Sequence, residues 1–343
     1  MGASVDVLLP SDVISELGDA AEGHRLIPFR VVPRGLRMGR EQWSLPWRFG
    51  AYPRALRLLH PILGVAPVLS HAPLVLSVPD LVYRSRPADM HPRARWYFGI
   101  FGPRSIRRAR RVMVSSQAVR RELIDLYHIA PERVAHVPLC ADATFRPRPA
   151  EEVASVRKRL GLPERYILYV GTIDPRKDLG RLRAAYDLLP PDLADESALV
   201  FVGRTNRGAE RLARELRRPG ARGHIVALDY VPRELLPSIY CGASVFVYPS
   251  RYEGFGLPAL EAMACGTPVI VSSDPALAEL VDEAGVVLRS ESVEELTQAM
   301  ERLLRFDEEQ ARLRDAGLLR SKVFSINRLG RETAEVYRQA LAA

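Results

Sequence analysis

The sequence predicts two doubly wound α/β domains in tandem, on three observations. Short apolar runs alternate with stretches whose apolar residues recur at helical spacing, along most of the chain. The alternation is interrupted at residues 146–151, Arg-Pro-Arg-Pro-Ala-Glu, which read as a linker. Residues 245–271 read as strand, glycine loop, helix and strand in unbroken succession. Such passages build parallel sheets with helices on both faces. Ligands bind these sheets at the carboxyl ends of the strands.

In the first half, Val5 to Leu9 reads as a strand, residues 11–21 as a short helix and Leu26 to Val32 as a second strand. Residues 33–60 are rich in Arg, Trp and Pro and show no period. Leu74 to Val78 is a buried strand that ends at Pro79-Asp80-Leu81. Val112 to Val114 is another. Ser115 or Ser116 then caps a helix with Val119, Leu123 and Leu126 on one face. Arg133 to Pro138 gives a further short strand.

In the second half, Tyr166 to Val170 is a strand and Gly171 to Lys177 a loop. Asp178 is placed to cap a helix carrying Leu179, Leu182, Tyr186 and Leu189 on one stripe. Ala198 to Val202 and His224 to Leu228 are strands, with a charged helix over 208–218 between them and another helix over 233–241. Val245 to Tyr248 opens the strand–loop–helix–strand passage. Pro258 stands near the helix start, where its missing N–H costs nothing. Gly266 and Pro268 end the helix, and Val269-Ile270-Val271 begins the next strand. Ser292 and Glu295 form a capping box for a helix burying Val293, Leu296 and Met300, and a helical run closes the chain over 328–342. The expected domains are 1–148 and 149–325, followed by a terminal helix over 326–343.

The totals exclude several classes. The chain has 343 residues, enough for two cores, and 47% of them are hydrophobic, as in a globular protein. Lys plus Arg total 49 against 41 acidic residues, for a net charge of +8, and only Lys158, Lys177 and Lys322 are lysines. Cys140, Cys241 and Cys265 lack C-x-x-C spacing and read as reduced, buried thiols of a cytoplasmic protein. The seven histidines show no metal-ligand spacing, so no metal site is expected. The first residues lack the charged and apolar regions of a secretory leader. Residues 61–78 are too broken by Pro61, Pro67, His71 and Pro73 to span a membrane.

The passage at 245–271 carries the chemistry. A helix start offers unpaired N–H groups and the positive end of its dipole, a ready anion site. Gly254 and Gly256 let backbone approach a ligand, and Glu253 and Glu261 flank the place. Helix amides for phosphate and carboxylates for hydroxyls suit a sugar nucleotide. Glu253 and Glu261, with seven residues between them around Gly-Phe-Gly-Leu-Pro, resemble the E-x7-E signature of family 4 retaining glycosyltransferases, the glycosyl transferases group 1.

That resemblance implies the GT-B fold, two Rossmann-like domains facing a cleft, with a terminal helix that crosses back to the first. It implies metal-independent transfer of a mannose-, glucose- or rhamnose-like hexose, with retention, from a nucleotide-diphosphate sugar to a saccharide or lipid-linked acceptor. No cofactor is implied; the nucleotide sugar is the donor substrate. Arg176 and Lys177 match the cations that hold the donor diphosphate, where leaving-group charge develops. Gly171 matches a close backbone approach to the donor. Glu261 matches the ribose-binding glutamate and Glu253 the one beside the donor sugar, with Gly254, Phe255, Gly256 and Leu257 offering backbone amides. Tyr230 and Val231 match the loop that packs on the base. Asp80 stands at the matching strand end of the first domain, as a cleft residue or a structural cap, but the family's preceding histidine is Pro79. Pro has no side-chain donor or acceptor.

A second departure is at the beginning. The chain opens at what reads as the second α/β unit, so the first strand and its Gly-rich loop, on the order of forty residues, are expected to be absent from the N-terminal domain. Together with Pro79 this motivates an alternative, a catalytically impaired homologue that binds the sugar nucleotide and acts as a partner subunit. Residues 90–121 contain nine Arg, no Asp or Glu, and interleaved Trp96, Tyr97, Phe98 and Phe101. They read as a solvated Arg face or as a peripheral contact with the inner membrane surface. No nucleic-acid recognition motif accompanies the charge.

Overall fold

The computed structural model describes residues 58–342 apart from 68, 71, 207 and 219–223, together with the backbone of two earlier strands. Those strands are β1 (Asp6–Pro10) and β2 (Arg25–Phe29), paired in parallel with Asp6 opposite Arg25. They lie close to the strands expected at Val5–Leu9 and Leu26–Val32. The expected helix over 11–21, the aperiodic 33–57 and the absent Gly-rich start fall outside the described residues.

Two further sheets form two domains. In the first, β3 (Val75–Ser77), β4 (Arg111–Val114) and β5 (Val134–His136) run parallel in that order. Leu59 bridges Leu74 beside β3. Three helices cross between these strands: α1 (Val82–Ser85), α2 (Pro92–Arg108) and α3 (Gln117–Tyr127). Of the two candidate caps, Ser116 accepts the Val119 N–H at 3.1 Å.

The second domain begins with α4 (Ala150–Leu160), which takes up the last two residues of the expected linker. Its sheet comprises β6 (Tyr166–Val170), β7 (Ala198–Val202), β8 (Ile225–Leu228), β9 (Val245–Tyr248), β10 (Val269–Val271) and β11 (Val286–Val287). All are parallel, in the order β11-β10-β9-β6-β7-β8. Helices α5 (Leu179–Asp187), α6 (Pro191–Glu196), α7 (Glu210–Leu216), α8 (Leu236–Gly242), α9 (Leu257–Ala264), α10 (Pro275–Val281), α11 (Val293–Arg305) and α12 (Asp307–Ser321) complete it.

Every residue of β6, β7, β9 and β10 is buried. That explains their unbroken Val, Ile, Leu and aromatic content, because strands covered on both faces have no solvent side to alternate with. The tyrosines among them keep their hydroxyls paired. Tyr166 donates to Ile239 O at 2.6 Å and Tyr169 to Thr172 O at 3.0 Å. Of the three cysteines expected to be buried, the fold buries Cys265 and leaves Cys140 and Cys241 half-buried.

The last helix, α13 (Ile326–Ala342), packs on the first sheet. Val336 and Ala340 join Val75, Met113 and Val137 in one small core. Arg110 donates to Ala340 O at 2.8 Å, and His60 joins Tyr337 Oη and Ser77 Oγ at 2.7 Å each. Burial pushes His60 down to about 4, so its ring is neutral in this bridge. Among the described residues no helix is long and apolar enough to cross a membrane.

Candidate active site

The second sheet changes direction between β6 and β9: the chain steps outward through β7 and β8 on one side and through β10 and β11 on the other. Loops leaving the carboxyl ends of β6 and β9 therefore part and leave a crevice. Residues 171–178 and 249–256 are these two loops. Gly171 has φ +151°, and an added Cβ would lie 2.7 Å from Tyr169 Oη. Gly203, at the end of β7, is packed so closely that a Cβ would meet Gly171 O at 2.0 Å. Only glycine serves at either position.

Asp174 shapes the first loop. Its carboxylate accepts from Arg176 N at 3.1 Å and from Asn206 Nδ2 at 2.6 Å, setting the 3₁₀ turn of Pro175–Lys177. The sequence implies that Asp178 caps α5, but its side chain makes no capping bond. It adopts a left-handed conformation (φ +53°), and its carboxylate pairs instead with Arg181 at 2.9 Å and Arg251 at 3.0 Å. Arg251 N donates to Arg176 O at 2.9 Å, so the two loops are stitched together.

Lys177, Glu253 and Tyr248 meet in the crevice. Lys177 Nζ donates to Tyr248 Oη at 2.8 Å and forms an ion pair with Glu253. The Lys177 side chain is 6% exposed and that of Glu253 11%. Burial pulls the Lys177 ammonium below its usual range, while Glu253 opposes the shift. Arg176 behaves oppositely: burial would lower it, but Glu253, Asp80 and Asp174 together hold it raised. Arg176 Nη1 is 3.9 Å from Asp80 Oδ2, is buried, and has no hydrogen-bond partner among the described residues. A desolvated guanidinium nitrogen without an acceptor is costly, and an anion would satisfy it.

Glu253 is held from behind by Asp274, which accepts Glu253 N at 3.2 Å, Ala276 N at 3.0 Å and Leu277 N at 3.1 Å. Burial pushes Asp274 up to about 6 against the downward pull of these N–H groups. Gly256 then starts α9 at φ +103°, where a Cβ would strike Leu277 at 2.4 Å. No side chain caps α9, which leaves the positive end of its dipole open.

Glu261 lies about one turn into α9, apart from the Lys177 cluster. It accepts from Tyr240 Oη at 3.0 Å. Burial pushes it up to about 6, with the Tyr240 bond and the Arg233 charge pulling down. Tyr230 is exposed beneath Arg204, whose guanidinium stands 4.4 Å from the ring centre. Val231 and Phe255 have buried side chains, Phe255 edge-on to Phe324, so any ligand would meet their backbone. Leu257 is partly exposed at the helix start.

The first domain closes on this loop. A Cβ on Gly254 would lie 1.7 Å from Pro79 O, and Ser115 Oγ donates to Gly254 O at 3.1 Å. Leu81 N donates to Tyr252 Oη at 2.9 Å, and that hydroxyl donates to Glu122 at 2.8 Å. Glu279 accepts from Gln117 N and Ala118 N at 2.9 and 3.1 Å, holding the start of α3. A cavity of about 110 Å³ lies beyond Phe255, lined by Ser116, His136, Glu279, Arg320, Phe324 and Arg328. It is separate from the Arg176–Lys177 crevice.

Sequence reasoning missed Tyr248, Asp274, Asp174 and Tyr240. The two aspartates were readable, since Asp-Pro before a helical turn is a capping signal. Nothing local marks the two tyrosines.

Two doubly wound domains, with the switch-point crevice of the second facing the first, define the GT-B fold. Residues 152–320 match the family described as Glycosyl transferases group 1. O-antigen chain mannosyltransferase B of Escherichia coli is 34% identical over 68% of this chain and 62% of its own length. MMP alpha-(1->4)-mannosyltransferase of Mycolicibacterium hassiacum is 32% identical over 79% of this chain and 66% of its own. The solved sucrose-phosphate synthase of Thermosynechococcus elongatus superposes with a TM-score of 0.73 at 26% identity, covering 93% of this chain and 84% of that one. The chain thus spans just under two thirds of these two curated relatives.

Proposed function

We propose that the protein is a hexosyltransferase of glycan synthesis. It moves a hexose with retention from a nucleotide-diphosphate sugar to a saccharide or lipid-linked acceptor. The observation that carries this reading is the pair Arg176 and Lys177 at the switch point, with one guanidinium nitrogen lacking an acceptor, facing Glu253 and the uncapped start of α9. A diphosphate there satisfies Arg176 and draws Lys177 from Glu253. The released carboxylate then positions and stabilises the donor sugar. As the glycosidic bond breaks, negative charge grows on the leaving phosphate, and fixed cations already aimed at it stabilise the transition state. In this reading they do so without a divalent ion. Glu261 takes the ribose hydroxyls, Tyr230 and Val231 border the base, and Asp80 faces the sugar from the first domain. The relatives named as mannosyltransferases favour mannose as the hexose.

A thermal-shift screen of UDP-, GDP- and dTDP-sugars identifies the donor, because a bound ligand raises apparent stability. Turnover is then followed as nucleotide release with EDTA present. Release that persists in EDTA and is abolished in Arg176→Ala/Lys177→Ala supports the reading; full activity in that variant refutes it.

Pro79 favours a second reading. Its carbonyl abuts Gly254 and it brings no side-chain donor or acceptor to the sugar. A chain that binds sugar nucleotide but never turns it over, with or without an acceptor, is the impaired partner subunit. Donor hydrolysis by the isolated protein excludes that alternative.

A further inference from the structure

Cys241 and Cys265 play no part in the function above, yet the fold sets them side by side. Cys241 lies in the last turn of α8, and Cys265 is the C-cap of α9. Cys241 Sγ is 3.4 Å from Cys265 O and 3.6 Å from Arg146 O. The two thiols also hydrogen-bond each other. Both are free, and they differ in access: Cys265 is 4% exposed, whereas Cys241 is only half-buried.

A cation stands beside them. Arg148 is fixed by Thr144 O, to which it donates at 2.8 Å, and by Glu152 at 3.7 Å. Its Nε is buried and has no hydrogen-bond partner among the described residues. The Cys265 S–H, donating to Cys241, pulls the Cys241 thiol below its ordinary range although burial pushes it up. The Arg148 backbone N–H and guanidinium add to the pull, and Glu152 opposes it. Cys265 moves the other way, because donating to Cys241 and burial both keep it protonated. One thiol is thus reachable and nucleophilic while the other is sheltered behind it. That is the arrangement of an attacking and a resolving cysteine.

We propose that Cys241 and Cys265 form a site of reversible oxidation by hydroperoxides, which closes to a disulfide. The Cys241 thiolate attacks the peroxide oxygen, the O–O bond breaks, and a sulfenic acid forms. The proton given up by Cys241 ends on the departing hydroxide or alkoxide. The Cys265 sulfur then displaces the sulfenic oxygen, the S–S bond forms, and the Cys265 proton leaves with that oxygen as water. Two electrons pass from the two thiols to the peroxide. The bridge bears on the sugar-nucleotide site through two bonds. Cys265 N donates to Glu261 O at 3.0 Å, and Tyr240, next to Cys241, donates to the Glu261 carboxylate at 3.0 Å. Tying the ends of α8 and α9 together disturbs both, so the oxidised chain binds its donor more weakly. Only this last consequence rests on the transferase reading.

The reduced full chain is treated with hydrogen peroxide, denatured and alkylated. Of its three thiols only Cys140 should remain, peptide mapping should join Cys241 to Cys265, and dithiothreitol should restore all three. Cys140→Ser should close the bridge as fast as the wild type. Cys265→Ala should stop at a sulfenic acid on Cys241, captured by dimedone, and Arg148→Gln should slow thiol loss at least about threefold. Should Cys265→Ala misfold, Cys241→Ser decides, since its Cys265 should stay reduced in peroxide. Donor binding, measured by calorimetry with sugar nucleotides, should weaken at least about fivefold on oxidation of the wild type and recover on reduction. Peroxide should leave it unchanged in Cys241→Ser. A bridge that forms in a chain binding no sugar nucleotide in either redox state overturns the transferase reading and upholds the oxidation site. Equal thiol loss at all three cysteines, a bridge to Cys140 or to a second copy, or oxidation of Cys265 in Cys241→Ser each overturns the site. Equal donor affinity with and without the bridge overturns its effect on binding.

Discussion

Lys177 and Glu253 form a nearly buried ion pair, although one follows β6 and the other β9, 76 positions apart in the chain. Removing one member leaves the other desolvated and uncompensated, at a cost of about 3–5 kcal/mol. Lys177→Ala should therefore lower both stability, read by urea unfolding, and transfer. Lys177→Met with Glu253→Gln should regain most of the stability and none of the activity. If the double variant is as unstable as the single one, the pair is not what stabilises the crevice.

Glu261 gives a pH dependence with a definite sign. Its carboxyl is raised in the folded protein from 4.5 to about 6. The folded state therefore favours the protonated form, and this stabilising share is fully present below pH 4.5 and lost as the pH rises through about 6. Unfolding at pH 4.5 and 6.5 should show a smaller decline in Glu261→Gln than in the wild type. Sugar-nucleotide affinity should move the other way, rising through pH 6 as the carboxylate forms to accept ribose hydroxyls. That rise should be absent in the same variant, as measured by calorimetry.

Tyr240 should tune Glu261 without touching the reaction. Its hydroxyl pulls the Glu261 carboxyl down by donating to it. Tyr240→Phe should move the affinity midpoint above pH 6 and raise KM for the donor several-fold while kcat holds. An unchanged midpoint removes Tyr240 from this role.

Gly254→Ala should separate the domains. The Cβ would overlap Pro79 O, a backbone atom that cannot swing aside. Small-angle scattering should show a larger radius of gyration, and transfer should fall at least tenfold, since about 1.4 kcal/mol of lost transition-state positioning already gives that factor. Wild-type dimensions with full activity would show that the two loops have room to part locally.

Glu279→Ala should loosen the start of α3 by about 1–2 kcal/mol, the worth of charge-assisted bonds to two helix amides. Hydrogen exchange at Gln117 and Ala118 should quicken, with little change at β6 and β7. Unchanged exchange at those two amides would assign the clasp to other contacts.

The second domain was largely readable because its strands are buried on both faces. The runs at Tyr166–Val170, Ala198–Val202 and Val245–Tyr248 match their observed limits. Helix α2 was read as a basic run because Gly99, Gly102 and Pro103 blur its period, and the reason for Gly102 is tertiary: a Cβ there would lie 2.9 Å from Tyr83 Oη. Helix α12 gave no stripe because it buries little beyond Leu313 and Gly317, the latter against Met263 of α9. At the crevice, loop chemistry was local and visible in Asp174-Pro175 and Asp274-Pro275. The partnership of Tyr248 with Lys177 was not, because it joins two crossovers that only the fold brings together.

Helix α13 supplies Val336 and Ala340 to a core whose other members all precede residue 138. The first domain therefore cannot complete that core on the ribosome while the second is still being made. The half translated first is the half finished last, and a stop codon near residue 325 would leave a complete second sheet beside an uncovered first one.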